Sequence, residues 1–152
     1  MNESILVVDD DTEVRETLSS VLLSEGYLVE TVKNGKEAVR ASETAYFDVA
    51  LIDMELPDMK GIEILRRLKE KQPEMVKIII TGFPSLENAV KAVNEGAHGY
   101  VLKPFNIEEL LKMIRKCLGE KAAEYLHIRM EMEKSTLFSE QFKKSKGSIF
   151  TR

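Results

Sequence analysis

Four short apolar runs and one weakly alternating segment divide the chain, and after each the apolar residues recur at the three-and-four spacing of a helix. Ile5-Leu6-Val7-Val8 is the first run, and Asp9-Asp10-Asp11 follows it at once. Thr12 then suits the cap of a helix bearing Val14, Leu18, Val21 and Leu22, which stops near Gly26. Residues 27–32 alternate weakly and read as an edge or second strand, and Asn34-Gly35 turns the chain into a helix with Ala38, Val39 and Ala41. Val49-Ala50-Leu51-Ile52 reads as a strand buried on both faces, and it ends on Asp53. Pro57-Asp58-Met59-Lys60-Gly61 is a loop, Ile62, Leu65 and Leu68 set the next helix, and Pro73 follows its end. Residues 76–80 are the most apolar strand, after which Ser85 caps a helix with Ala89, Val90 and Val93 that Gly96 terminates. Gly99-Tyr100-Val101-Leu102 is the last strand, and Asn106 caps a helix through Ile107, Leu110, Leu111 and Ile114.

Strand and helix in strict alternation, joined by connections this short, predict an α/β fold. Parallel strands with right-handed crossovers place helices on both faces of one doubly wound, five-stranded sheet. The pattern ceases at Gly119, which divides the chain into a domain over residues 1–118 and a tail over residues 119–152. A net charge of −4 argues against a nucleic-acid surface spread over the domain, so residues 1–118 are expected to make no direct nucleic-acid contact. The single cysteine, Cys117, forms no internal disulfide and reads as a small buried hydrophobe. No basic leader opens the sequence and no apolar run approaches the ~20 residues of a membrane helix, so a cytoplasmic location without membrane contact is expected.

The strand ends carry the chemistry. Asp9-Asp10 follow the first strand, Asp53 the third, Thr81 the fourth and Lys103-Pro104 the fifth. In a parallel sheet these ends share one edge, where ligands of open α/β sheets bind. Crowded carboxylates raise one another's pKa unless a cation neutralises them. Oxygen-only ligands suit Mg²⁺, which takes one or two carboxylates with water and a phosphate. Lys103 offers a fixed positive charge to phosphate oxygens and Thr81 a hydroxyl donor, so the set suits phosphoryl transfer.

With Val7-Val8-Asp9-Asp10, Asp53-Met54-Glu55-Leu56-Pro57 with Gly61, Thr81-Gly82, Tyr100 and Lys103-Pro104-Phe105, the chain resembles the receiver domain of two-component response regulators, over roughly residues 4 to 118. The resemblance implies the flavodoxin-like strand order 2-1-3-4-5. It also implies Asp53 as phosphoacceptor, Asp10 as a direct Mg²⁺ ligand, Asp9 acting mainly through metal-bound water, and the Glu55 carbonyl as a third protein ligand. Thr81 and Lys103 would hold the phosphoryl oxygens, and Tyr100 would be the aromatic switch. A histidine kinase or phosphotransfer protein would be the donor and a downstream protein the target, reached through the face of the fourth helix, fifth strand and fifth helix. The protein would then be an enzyme only toward its own phosphorylation and dephosphorylation. Within the family, Thr81-Gly82-Phe83 to Lys103-Pro104-Phe105 resembles receivers of enhancer-binding activators.

Two other classes compete. Asp9 and Asp11 also fit the D-x-D of haloacid-dehalogenase-type phosphatases, but Glu13 stands at the threonine position and there is no room for a cap domain. A receiver-shaped module that is never phosphorylated would have no need of the intact acidic set. The tail is too short for a separate output domain. Along it, Ile107, Leu111, Ile114, Leu118, Lys121, Tyr125, Ile128 and Met132 follow a heptad spacing, which suits a helix continuing to about Glu133 and pairing with a second copy or a partner. Gly119 opposes that continuity as a natural helix end. Lys143-Lys144-Ser145-Lys146-Gly147, with Phe138, Phe142 and Phe150 around it, reads as a disordered or partner-docking end.

Overall fold

A computed structural model of the chain describes the backbone of residues 2–150 and the side chains of residues 2–134. Among these, five strands alternate with five helices: β1 Ser4–Val8, α1 Thr12–Ser24, β2 Leu28–Val32, α2 Gly35–Thr44, β3 Val49–Asp53, α3 Gly61–Lys71, β4 Val76–Thr81, α4 Leu86–Asn94, β5 Gly99–Leu102 and α5 Ile107–Phe150. All pairings are parallel, as the alternation predicts, and the strand order is 2-1-3-4-5, the order that the resemblance implies.

Successive side chains of a strand point to opposite faces, and the uninterrupted apolar run of β3 supplies both. Val49 and Leu51 join Ile5, Val7, Ile78 and Ile80 in a layer closed by Leu18 and Leu22 of α1 and by Leu110, Leu111 and Ile114 of α5. Ala50 and Ile52 join Leu6, Val8 and Ile79 in a second layer under Ala38 of α2, Ile64, Leu65 and Leu68 of α3 and Ala92 of α4. Each large side chain enclosed this way contributes about 1.5–3 kcal/mol.

Gly26 and Gly96 adopt positive φ just after α1 and α4, where the left-handed turn that ends a helix favours glycine. The cap of α1 is Asp11, one residue before Thr12, and its carboxylate accepts from Glu13 N and Val14 N. Asn34 and Ser85 cap α2 and α4 through their side chains, as their positions suggest, and Asn106 Oδ1 accepts from Glu108 N at the start of α5.

Three expectations change. Val90 and Val93 of α4 are exposed, and Ala92 is the residue that faces the core. Lys77, inside the most apolar strand, is buried, with Nζ donating to the Met75 carbonyl at 3.1 Å. In α5, Leu111 and Ile114 are buried in the domain's own core, so the first half of the heptad stripe already has a partner in the sheet. Tyr125, Ile128 and Met132 are exposed. Residues Met1–Leu118 and Gly119–Arg152 form two compact units. The backbone of residues 138–150 runs within α5, where the sequence suggests a disordered or partner-docking end, and the side chains of this basic and aromatic segment lie outside the described residues.

Candidate functional site

Strand register fixes the site before any side chain is considered. Val8 is level with Ile52, so Asp9 comes level with Asp53 at the carboxyl edge. Asp53 is level with Ile80, and Thr81 with Leu102, which brings Thr81 and Lys103 to the same rim. Lys103 N also donates to the Thr81 carbonyl at 2.7 Å, and the Lys103-Pro104 peptide is cis.

Lys103 Nζ lies 3.2 Å from Asp9 Oδ2 and 3.3 Å from Asp53 Oδ2, bridging two carboxylates that are both almost wholly enclosed. Asp10 joins them at the exposed lip, and ligand oxygens of Asp9, Asp10 and Asp53 lie within 4.8 Å of one another. Asp9 Oδ1 accepts from Asp11 N at 2.9 Å, and Arg15 Nη1 donates to the Asp9 carbonyl at 2.7 Å. Asp53 Oδ1 accepts from Glu55 N at 3.0 Å. The buried Thr81 hydroxyl donates to Glu55 Oε1 and accepts from Phe83 N at 3.1 Å.

Burial pushes the Asp53 carboxyl up to about 6, with the Glu55 side chain and the Asp9 charge adding to it and the Glu55 N–H and Lys103 opposing it. Burial also opposes ionisation of Glu55, but hydrogen bonds from Thr81, Asp53 and the Gly82 N–H, with the Lys103 charge, hold it below the usual carboxylate range. Burial alone would lower Lys103; the charges of Asp53 and Asp9 outweigh it and raise its pKa. Asp53 and Lys103 therefore respond differently to one contact. Asp53 is the more enclosed, so its desolvation dominates, whereas part of the Lys103 side chain reaches water.

Three all-oxygen side chains converging around a common point, two of them buried, are a donor set that fits a hard divalent cation. The carboxylate of Glu55 is engaged by Thr81 through Oε1, and the role that the resemblance gives this residue falls to its backbone carbonyl. Tyr100, level with Ile79 on β5, packs against the second core layer, and its buried hydroxyl has no hydrogen-bond partner among the described residues.

The strand-end pattern pointed to Asp9, Asp10, Asp53, Thr81 and Lys103, and the fold brings all five to one rim. It gave no sign of the Glu55 to Thr81 hydrogen bond or of the Arg15 clamp on the Asp9 carbonyl. Asp58 was also missed: from the loop after β3 it accepts from Gly35 N at 2.9 Å and Lys36 N at 3.0 Å, tying that loop to the start of α2. Only the acid-then-three spacing of Asp11 and Val14 could have found the Asp11 cap from sequence.

The family model described as "Response regulator receiver domain" matches residues 5–115. "DNA-binding transcriptional regulator NtrC" of Proteus hauseri is 35% identical over 115 residues, which are 76% of this chain and 24% of that protein. "Uncharacterized transcriptional regulatory protein YkoG" of Bacillus subtilis is 37% identical over 116 residues, 76% of this chain and 51% of that protein. The chain thus spans about a quarter of the first of these relatives and about half of the second. Among solved structures, a CheY-like response regulator receiver domain protein from Methanospirillum hungatei superposes with a TM-score of 0.79 at 40% identity, covering 82% of this chain and 99% of that one. The beryllofluoride-activated NtrC4 receiver domain dimer gives 0.74 at 36% identity, covering 78% and 98%. With the strand order 2-1-3-4-5, an acidic pocket at the carboxyl edge and a family match over most of its length, this chain belongs to the response regulator receiver domains.

Proposed function

We propose that the protein is a phosphorylation-activated switch that accepts a phosphoryl group on Asp53 from a histidine kinase or phosphotransfer protein. The observation that carries this reading is the placement of Lys103 Nζ against Asp53 Oδ2, with Asp9 and Asp10 at the same rim and Thr81 beside it. An Asp53 oxygen attacks the donor phosphorus, the phosphorus–nitrogen bond to the donor histidine breaks, and an acyl phosphate forms on Asp53. Asp9, Asp10, Asp53 and the Glu55 carbonyl would hold Mg²⁺, which when bound screens the carboxylates and polarises the phosphoryl oxygens. Lys103 orients one phosphoryl oxygen and Thr81 another.

Moving the Thr81 hydroxyl to the phosphoryl group takes it from Glu55 and opens space beside β4 for Tyr100 to change position. The surface that responds is that of α4, β5 and α5, where Leu86, Val90, Val93 and Leu102 are exposed. Exposed apolar residues on adjacent elements support a docking role for a downstream protein target. Beyond the transfer onto Asp53 and its hydrolysis, the domain has no reaction to catalyse. A cytoplasmic location follows, because phosphohistidine donors are made from ATP; among the described residues no helix is long and apolar enough to cross a membrane. The exposed side chains at Tyr125, Ile128 and Met132 support a homodimer through the C-terminal helix.

Incubation with Mg²⁺ and a small acyl phosphate donor, followed by intact-protein mass spectrometry, tests the assignment. One phosphoryl group per chain is expected, lost in Asp53→Asn and retained in Asp11→Asn. Phosphoryl incorporation that survives Asp53→Asn, or turnover of free phosphate esters lost in Asp9→Asn, would overturn it.

A further inference from the structure

From Lys121 onward the stripe Lys121, Tyr125, Ile128, Met132 keeps the alternating spacing of a two-stranded seam, and its three apolar members are 66%, 50% and 65% exposed. Taking Tyr125 and Met132 as one class of seam position and Lys121 and Ile128 as the other, the residues flanking the seam are Glu124 and Glu131 on one side, and Ala122 and Arg129 on the other. In a parallel, in-register pair, a flanking residue on the first side faces the residue five positions later on the second side of the neighbouring helix. Glu124 then meets the partner's Arg129, and symmetry makes the contact twice. In an antiparallel pair, residues of the same side face each other, so a flanking Glu meets a Glu and Glu124 gains no contact with Arg129.

Resting on the reading that the C-terminal helix pairs with a second copy, we infer that the pairing is a parallel, in-register coiled coil over residues 121–132, with Glu124 and Arg129 choosing its direction. Arg129 Nε lies 3.6 Å from Glu133 Oε1 in its own helix, an exposed i,i+4 contact that yields readily to an interhelical one. Lys121 is the polar member of the seam; such a residue costs stability and fixes register, its long stem carrying the charge outward past the small Ala122. Leu126 and Met130 are exposed as well, but they lie on the back of the helix relative to this seam. They serve as the control surface.

The full chain is studied across a concentration series by light scattering and sedimentation, with and without Mg²⁺ and beryllofluoride. The native chain is expected to dimerise. Ile128→Glu should weaken the dimer at least tenfold, Leu126→Glu should leave it unchanged, and Lys121→Leu should tighten it. Glu124→Arg and Arg129→Glu should each weaken it several-fold, and the double variant should restore it. In a Cys117→Ala background, Tyr125→Cys and Met132→Cys should each oxidise to a covalent dimer. An antiparallel pair permits at most one of these, so one positive and one negative would overturn the direction while leaving the dimer standing. A monomer under every condition, or a dimer indifferent to Ile128→Glu, would overturn both the pairing and its direction.

Discussion

The Thr81 hydroxyl donates its hydrogen bond to the carboxylate of Glu55. It stands at the end of β4, where a phosphoryl group on Asp53 would recruit it, and so the two acceptors compete for one proton. A hydrogen bond to a charged group is worth about 1.5–3 kcal/mol when enclosed, and less beside solvent, as here. Glu55→Ala should therefore raise affinity for beryllofluoride about five-fold in the presence of Mg²⁺, read by titration of the Tyr fluorescence or by calorimetry. Unchanged affinity would mean that Glu55 does not restrain Thr81.

Asp53 should cost the fold stability at neutral pH. Its carboxyl ionises at about 6 in the folded chain, above the ~3.9 of an unfolded aspartate. Between those values the native state binds more protons than the unfolded state, so stability falls as pH rises through the window from about 4 to about 6. In a chelating buffer at pH 7.5, Asp53→Asn should be more stable than the native chain by about 1–3 kcal/mol, and the gain should shrink toward zero near pH 4. Denaturant unfolding at a series of pH values reads both the sign and the window. A destabilised variant at pH 7.5 would show that the Lys103 contact outweighs burial.

Removal of Lys103 should have the opposite effect on the same carboxylates. Its ammonium is the cation within 3.3 Å of Asp53 and 3.2 Å of Asp9. Lys103→Met leaves two enclosed anions facing each other. Stability at pH 8 should drop by about 1–3 kcal/mol, with a smaller loss at pH 5 where Asp53 is protonated. Phosphoryl incorporation from a small donor should fall at least tenfold.

Tyr100 buries its hydroxyl without a partner among the described residues. Replacing that hydroxyl by hydrogen loses no bond and removes a desolvated group, so Tyr100→Phe should leave stability unchanged or raise it by about 1 kcal/mol. Thermal unfolding decides it: a loss greater than about 1 kcal/mol would mean that the hydroxyl has a partner in solution.

Gly61 is required by space. A Cβ there would sit 2.6 Å from Met54 Sδ and 3.0 Å from the Met54 Cα, and the backbone contact cannot swing aside. Gly61→Ala should push on the segment that carries the Glu55 carbonyl, costing about 1–3 kcal/mol of stability. Mg²⁺ affinity should fall several-fold, measured by the metal's stabilisation of the fold.

The readable parts of the sequence were those where one residue type has one physical outcome. Val49-Ala50-Leu51-Ile52 has no polar face to offer water, so it had to be an interior strand, and Asp53 stands at its carboxyl end. Lys77 defeats the same logic: its stem is apolar enough to stay inside, and its ammonium reaches the Met75 carbonyl two residues away. Val90 and Val93 fitted a helical stripe equally well on either side of α4, and only the packing of Ala92 shows which side faces the sheet. Asp11 and Thr12 are both good caps, and the choice depends on where the first helical turn closes, which neighbours decide. The Glu55 to Thr81 contact spans 26 residues and belongs to no local pattern. The heptad stripe of α5 was legible as spacing but not as purpose, because Leu111 and Ile114 face the sheet while Tyr125 and Ile128 remain exposed.

Asp53 closes β3, Thr81 closes the adjacent β4, and Leu102, level with Thr81, closes the edge strand β5. A disturbance that begins at the third strand therefore crosses only two ladders before it reaches the margin of the sheet. Each crossing joins segments already laced together along their length. The outer helices can change their water-facing residues without rewiring that route.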